Sequence, residues 1–353
     1  MGDNAFSNCS AMQTAKLGEE VTAIGQYAFS ECKKLEQIDI PDAVTSIGQH
    51  AFEKCSNMQS VKMGVGVKTI NKYTFSGCSS LTDLQIGDSV ATINECAFVD
   101  CSSLPMIRIP QSVNSIGDNV FSYCTGLKII IMEDKESELK LGSNDRYALF
   151  SSCPLDSVYI GRNITYSTSS SSGYSPFYRN TSLRAVTITD KETEVSNNEF
   201  YGCTNLKNVR IGNGVTTIGN WAFSGCSSLD FFSFGSSVES IGKEAFSDCT
   251  ALTQLISHAS VPPTCGSQAL DDINKWNCTL SVPKGSLADY QQAEQWKEFF
   301  FINDNVTGIK NILNKDDKPT SIYRLNGTRT GNMQRGINFI KMNDGTVKKV
   351  LIK

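Results

Sequence analysis

Thirteen cysteines and two histidines are the residues of this 353-residue chain with the most capacity for chemistry. Cysteine at that density ordinarily signals disulfides, a zinc site or a thiolate nucleophile. The spacing argues against each. No C-x-x-C pair occurs, and only His50 and His258 offer imidazole, so zinc-ligand spacing is not met. A Cys–His or Ser–His–Asp centre needs a base beside its nucleophile. His50 falls at a variable position whose counterparts are Tyr27, Tyr73 and Cys96, and it reads as a surface side chain. His258 has no motif around it. There is no P-loop, no G-x-G-x-x-G after a strand, and no recurring Asp ladder of the calcium-binding type. Nothing points to a carboxylate pair for glycoside hydrolysis, and no aromatic platform for sugar is apparent. The expectation is a protein that is not an enzyme and carries neither metal nor cofactor.

The cysteines obey a different rule. Phenylalanine recurs every 23 residues at Phe6, Phe29, Phe52, Phe75, Phe98 and Phe121, then at Phe150 and Phe177 after longer gaps, and again every 23 at Phe200, Phe223 and Phe246. Three residues after each stands Cys9, Cys32, Cys55, Cys78, Cys101, Cys124, Cys153, Cys203, Cys226 or Cys249; only Asn180 breaks the series. A small apolar residue that fits a coil interior explains such a row without redox or metal chemistry. Phe29, Phe52 and Phe75 with Cys32, Cys55 and Cys78 are thus read as a structural ladder.

One unit runs Leu35-x-x-Ile38-x-Ile40-Pro41-x-x-Val44-x-x-Ile47-Gly48-x-x-Ala51-Phe52-x-x-Cys55. Its first part alternates at period two, the pattern of a short strand with one buried face, and Pro41 ends it. Ala-Phe-x-x-Cys is too short for a stable helix and suggests a single turn packed by its Phe. The Gly48 position carries Gly25, Gly117, Gly219 and Gly242 elsewhere, and Asn71 and Asn94 in two coils; Gly and Asn together suggest a left-handed turn residue. Such units bury their apolar residues only by stacking. Eleven coils at about 4.8 Å per strand give a parallel sheet roughly 50 Å long.

These residues resemble the BspA-type branch of bacterial leucine-rich repeats, and residues 26–55 carry its pattern almost completely. The resemblance covers about 1–260. It implies an α/β-type repeat solenoid with a parallel β-sheet on the concave face and short turns or helices opposite. It also implies a surface or secreted protein of a host-associated bacterium that binds a protein partner, a host matrix or plasma protein in the adhesin manner, or a glycan. A structural spacer is the alternative.

Composition fits. Apolar residues make up 40% and charged residues 19%, enough for a large core. A net charge of −4 with no long Lys/Arg run excludes a nucleic-acid footprint. No apolar stretch reaches the roughly 18 residues of a membrane helix. The opening Met1-Gly2-Asp3-Asn4-Ala5-Phe6 has no signal-peptide pattern and falls inside a repeat, as a trimmed chain would.

The chain divides into the solenoid (1–260), a closing cap (261–304) and a small β-rich tail (305–353). Insertions interrupt the coils at 133–149 and 161–176; the second contains the low-complexity run Ser167-Thr168-Ser169-Ser170-Ser171-Ser172-Gly173. They read either as tolerated surface loops or as elements beside a binding face. In the cap, residues 279–286 read as a strand and turn, with Ser286 capping a helix over 287–298. Cys265 and Cys278, off the ladder, are the one candidate disulfide pair. In the tail, residues 321–327, 337–341 and 347–353 alternate as strands, with a hairpin turn at Asn343-Asp344-Gly345-Thr346. The tail resembles the C-terminal sorting domains of type IX secretion; a β-rich appendage without an export role is the other reading.

The two residues flanking the inner Ile of each strand should face outward on the concave sheet. They are Lys16, then Gln37 and Asp39, Lys62, Asp83 and Gln85, Met106 and Arg108, Ile129 and Ile131, Tyr159, Thr187, Asn208 and Arg210, and Phe231 and Ser233. Met106, Ile129, Ile131 and Tyr159 are apolar for exposed positions. With Arg108 they form the candidate ligand-binding patch. The competing reading is that an irregular coil or an insertion buries them.

Overall fold

The computed structural model describes residues 1–142, 148–166, 175–306 and, in the tail, 319–324, 329–330, 336–342, 345 and 347–352. Most coils lay down a strand of three or four residues, then a strand of two or three, then a run of tight turns. The longer strands stack in parallel. Gln37–Ile40, Ser60–Met63 and Asp83–Gln85 form one sheet, and nine strands from Met106–Ile109 to Phe301–Val306 form another. Register is kept from coil to coil, so that Ile107, Ile130, Val158, Val186 and Val209 pair in one row and are buried in the core. Period-two alternation dictates this, because a slip by one residue would turn every inward Ile or Val to the other side. The shorter strands, such as Thr69–Ile70, Thr92–Ile93 and Ser115–Ile116, stack into a second parallel ladder.

The turns carry the phenylalanines. Their rings stack in one continuous row from Phe6 to Phe246, with centroids 5.3 to 6.2 Å apart. All thirteen cysteines are free. The thiol of each ladder cysteine from Cys32 on donates to the carbonyl of the Phe in the preceding coil, for example Cys55 to Phe29 at 3.1 Å and Cys226 to Phe200 at 3.3 Å. The position takes a small side chain that can donate to that carbonyl, and a thiol does so at little desolvation cost, which is why sulfur recurs there.

Three expectations are corrected, and one question left open, the candidate disulfide, is answered. The molecule is a β-solenoid rather than α/β: among the described residues helix is confined to Leu287–Tyr290 and the 3-10 turn Trp296–Glu298. The expected helix over 287–298 thus breaks in two, and Ser286 makes no side-chain cap. Tertiary packing overrides the local signal there, because Tyr290 and Trp296 are both buried into the last coils. The left-handed residue is not Gly48 but lies two positions on, at Tyr27, His50, Tyr73, Cys96, Asn119 and Trp221, with φ between 53° and 58°. Gly48 is required by proximity instead, since a Cβ there would sit 2.4 Å from the Gln26 backbone nitrogen. Cys265 and Cys278 are not bridged; burial pushes both thiols up to about 12.

The long-strand sheet also runs beyond 260, through Thr279–Pro283 and Phe301–Val306. Beyond it, Pro319–Arg324, Arg329–Thr330, Gly336–Met342 and Val347–Ile352 make a four-stranded antiparallel sheet, where the alternation in the tail suggested three strands.

Candidate functional site

The outward side chains of the long-strand sheet form two rows fixed by register. One runs Met106, Ile129, Ser157, Ala185, Asn208, Phe231; the other runs Arg108, Ile131, Tyr159, Thr187, Arg210, Ser233. They point away from the core because their neighbours Ile107, Ile130 and Val158 fill it. In the first coils the same face is polar: Gln37, Asp39 and Lys62 are exposed, and Asp83 and Gln85 are half-buried. These coils frame a groove of about 720 Å³ lined by Lys16, Asp39, Asp42 and Lys62, and a smaller one of about 230 Å³ continues past Gln85 and Asp88 to Arg108.

The apolar patch is not open to solvent. Met106, Ile129, Ile131 and Tyr159 are all buried, in a cluster separate from the solenoid core, and what covers them is the C-terminal sheet. Phe339 meets the Tyr159 ring edge-on with centroids 5.8 Å apart, and Val347 packs beside it. One reading of the sequence left the patch exposed and the other buried it under an irregular coil or an insertion; it is buried, but under the tail. The Tyr159 hydroxyl donates to Asp134 at 2.9 Å; burial and that carboxylate raise the phenol's pKa well above its ordinary value. Of the five candidate residues, Arg108 alone stays partly accessible. It joins Asp88 at 2.9 Å to Glu133 at 3.0 Å.

Glu133 belongs to a polar node the sequence reading missed. Its second oxygen accepts the Gln111 backbone N–H at 3.1 Å. Arg162, wholly buried, reaches back past the intervening coil and donates to the carbonyls of Pro110 at 2.8 Å and Val113 at 2.7 Å. Burial lowers its pKa to about 10 despite the nearby Glu133. The one sequence signal was a reversed sign: Arg162 stands where other coils place Asp42, Asp88, Asp134 or Asp190. Further along, Glu192 and Glu199 are buried together. Burial and their mutual repulsion raise the pKa of Glu192, and burial raises that of Glu199. The low-complexity run 167–173 lies outside the described residues; the parts of the insertions that are described contribute Leu139–Leu141 and Ile164–Tyr166 to the short-strand ladder.

The turn edges carry stacked aromatic groups. His50 lies between Tyr27 at 4.5 Å and Tyr73 at 4.8 Å, with its Nδ1 3.0 Å from Glu53, so it is held in a stack rather than free at the surface. Near the end of the solenoid, Trp276 stacks on Phe300 at 4.7 Å, and Phe300 meets Phe301 edge-on. Trp276 is 73% exposed and Phe300 60%, so an aromatic platform exists that the sequence did not betray.

The unit repeat, its in-register strands and the stacked Phe row are what a family comparison tests. The model of the BspA type leucine rich repeat region matches residues 1–71, 57–175 and 170–274, in six copies. The chain belongs to the BspA type leucine-rich repeat family. Among curated proteins, none matches this BspA type chain. Solved structures similar to it include a leucine-rich repeat protein from Bacteroides ovatus, 23% identical, covering 80% of this chain and 90% of that one with a TM-score of 0.33. Another is a leucine rich cell surface protein from Faecalibacterium prausnitzii, 27% identical, covering 73% and 82% with a TM-score of 0.33. A third, the T. pallidum leucine rich repeat protein, is 21% identical and covers 61% and 81% with a TM-score of 0.32. Assignment to the BspA type rests on the repeat and its model. Among the described residues no helix is long and apolar enough to cross a membrane.

Proposed function

We propose that the protein is a non-catalytic binding protein of the cell surface or exterior that holds a macromolecular partner, a host protein in the adhesin manner, against its long-strand face. That face is taken as the concave one. One observation carries the reading: Met106, Ile129, Ile131 and Tyr159 turn outward from the sheet, yet they exclude water by packing on another β-sheet. A surface already built to grip folded β-structure, continuous with a charged groove that begins at Lys16, suits a protein partner. Arg108 stands where groove and patch meet, and Asp134, at the start of the insertion 133–149, bonds the Tyr159 hydroxyl of the patch. Saturable capture of the full chain by immobilised matrix or plasma proteins is the expected result. The pair Asp39→Lys and Lys62→Glu in the groove should abolish it, while Glu31→Lys on the turn edge should not. Absence of any saturable protein ligand would favour a structural spacer.

A glycan reading has its own support in the exposed Trp276–Phe300 stack, since paired aromatic faces suit the apolar faces of sugar rings. It predicts glycan binding that Trp276→Ala removes. A sorting role for the tail belongs to the surface reading, and retention of the protein inside the cell on loss of residues 305–353 is its test.

A further inference from the structure

The apolar patch and the tail fit one another by chemistry as well as shape. Cross-strand pairing places Tyr323, Phe339, Lys341, Val347 and Lys349 on one face of the C-terminal sheet. Phe339 and Val347 enter the patch, while the two lysines reach its acids. Lys349 Nζ lies 2.7 Å from Asp134, and Lys341 pairs with Asp156. Asp156 directly precedes the strand Ser157–Ile160, and Asp134 follows the strand Ile129–Met132, so one acid stands at each end of the patch. Gly345, between the last two tail strands, comes down on Ala185. At Gly345, φ is +85°, and a Cβ there would lie 3.1 Å from the Ala185 Cβ, so glycine suits both the conformation and the contact.

This seat is not continuous with the solenoid core. It holds few apolar side chains and two ion pairs whose members stay 18% to 28% exposed. Pairs at such exposure contribute little each and are screened by salt. Covalent attachment makes docking of the tail an intramolecular event with a high effective concentration, so few contacts suffice.

We infer that the C-terminal sheet is a tethered, displaceable occupant of the long-strand face, a plug that an outside partner must remove to reach Met106, Ile129, Ile131 and Tyr159. The seat selects β-structure with an apolar centre flanked by lysines. The inference deepens the proposed binding reading, but docking and release are measured with no partner present.

The test is hydroxyl-radical footprinting of the full chain. In the natural sequence Met106 and Tyr159 should be protected relative to the exposed Tyr123. In the double variant Lys341→Glu with Lys349→Glu, their reactivity should rise by about tenfold, the order that reversing two surface ion pairs makes in a local equilibrium. Met58, buried in the ladder core, should stay protected and report an intact fold. Adding Asp134→Lys and Asp156→Lys should restore protection. The inference falls if Met106 and Tyr159 react freely in the natural chain, if charge reversal leaves them protected, or if the fourfold variant fails to restore cover. Carbodiimide cross-linking of mixed light and heavy isotope-labelled chains separates own tail from a neighbour's. Lys341–Asp156 links within one chain are expected, and links between light and heavy chains would assign the tail to a second copy and overturn the tethered form. A failed partner screen leaves all of these outcomes unchanged.

Discussion

Asn180 stands at the ladder position held by cysteine in the neighbouring coils. Its amide nitrogen donates to the Phe150 carbonyl at 3.0 Å and to the Cys153 carbonyl at 2.9 Å, so it keeps the bond a thiol makes elsewhere and adds one. Asn180→Leu should therefore cost about 1–3 kcal/mol, two buried hydrogen bonds, whereas Asn180→Cys should cost about half of that or less. Shifts in the urea midpoint check the order. Glu192 gives a pH-dependent counterpart. Its carboxyl is buried with one oxygen unpartnered, and Glu199 is buried nearby, so the neutral form is favoured and the folded pKa lies above the ordinary 4.5. A folded state that binds more protons than the unfolded one loses stability as pH rises. The contribution is intact below about pH 4.5 and declines above it until the folded carboxyl itself ionises. Glu192→Gln removes that titration, so the variant's thermal midpoint should fall less between pH 5 and 8 than the parent's, in steps on the order of 1 kcal/mol per unit of pH at most. An identical pH slope in both would remove Glu192 from the account.

Between neighbouring coils the controlling quantity is how closely two backbones approach. Ideal Cβ atoms at Gly25, Gly48, Gly219 and Gly242 would lie 2.4 to 2.6 Å from backbone atoms of the coil before. Where asparagine takes the position, the amide is used: Asn71 donates to the Ile47 carbonyl at 2.7 Å, and Asn94 to the Asn71 side chain at 3.1 Å. Gly48→Ala should lower stability by about 1–3 kcal/mol through overpacking, while Gly18→Ala, with open space around it, should be near neutral. Denaturant titration of the two variants decides between proximity and conformation as the reason for glycine. Equal effects would refute the proximity account. At this scale the repeat was legible because period-two alternation and a 23-residue spacing leave few other structures. Gly48 was misassigned because Gly and Asn tolerate both positive φ and close contact, and one residue's identity does not separate them. The left-handed residue itself varies among Tyr, His, Cys, Asn, Trp, Glu and Gln, a range that propensity alone does not select. It is tolerated because neighbouring rings such as Tyr27, His50 and Tyr73 stack there.

In the whole molecule most coils touch only their neighbours, so stability is distributed along a line and damage stays local. All three tryptophans, Trp221, Trp276 and Trp296, lie in the last 133 residues. Phe52→Ala opens the ring stack in the first coils, at a cost of about 3–5 kcal/mol. Far-ultraviolet circular dichroism should then show an early loss that tryptophan fluorescence does not follow. Coincident transitions would mean the solenoid unfolds as one unit. Arg162 is where such independence is bridged, because its guanidinium ties the coil at 157–160 to carbonyls two coils earlier.

The amino-acid sequence by itself determined the coil. Where each strand lies, which face is buried, that Phe and Cys stack in rows, and that the tail is an antiparallel sheet all follow from local spacing, because each coil repeats the same short-range problem. It also picked out Met106, Ile129, Ile131 and Tyr159 as an apolar patch on the outward side. Only the tertiary structure decided that the patch is covered, and by what. Asp134 and Lys349 are 215 positions apart, and no periodicity links a solenoid coil to a sheet beyond its end. Burial of an outward face depends on which distant surface complements it, a property of two folded bodies rather than of any stretch of chain.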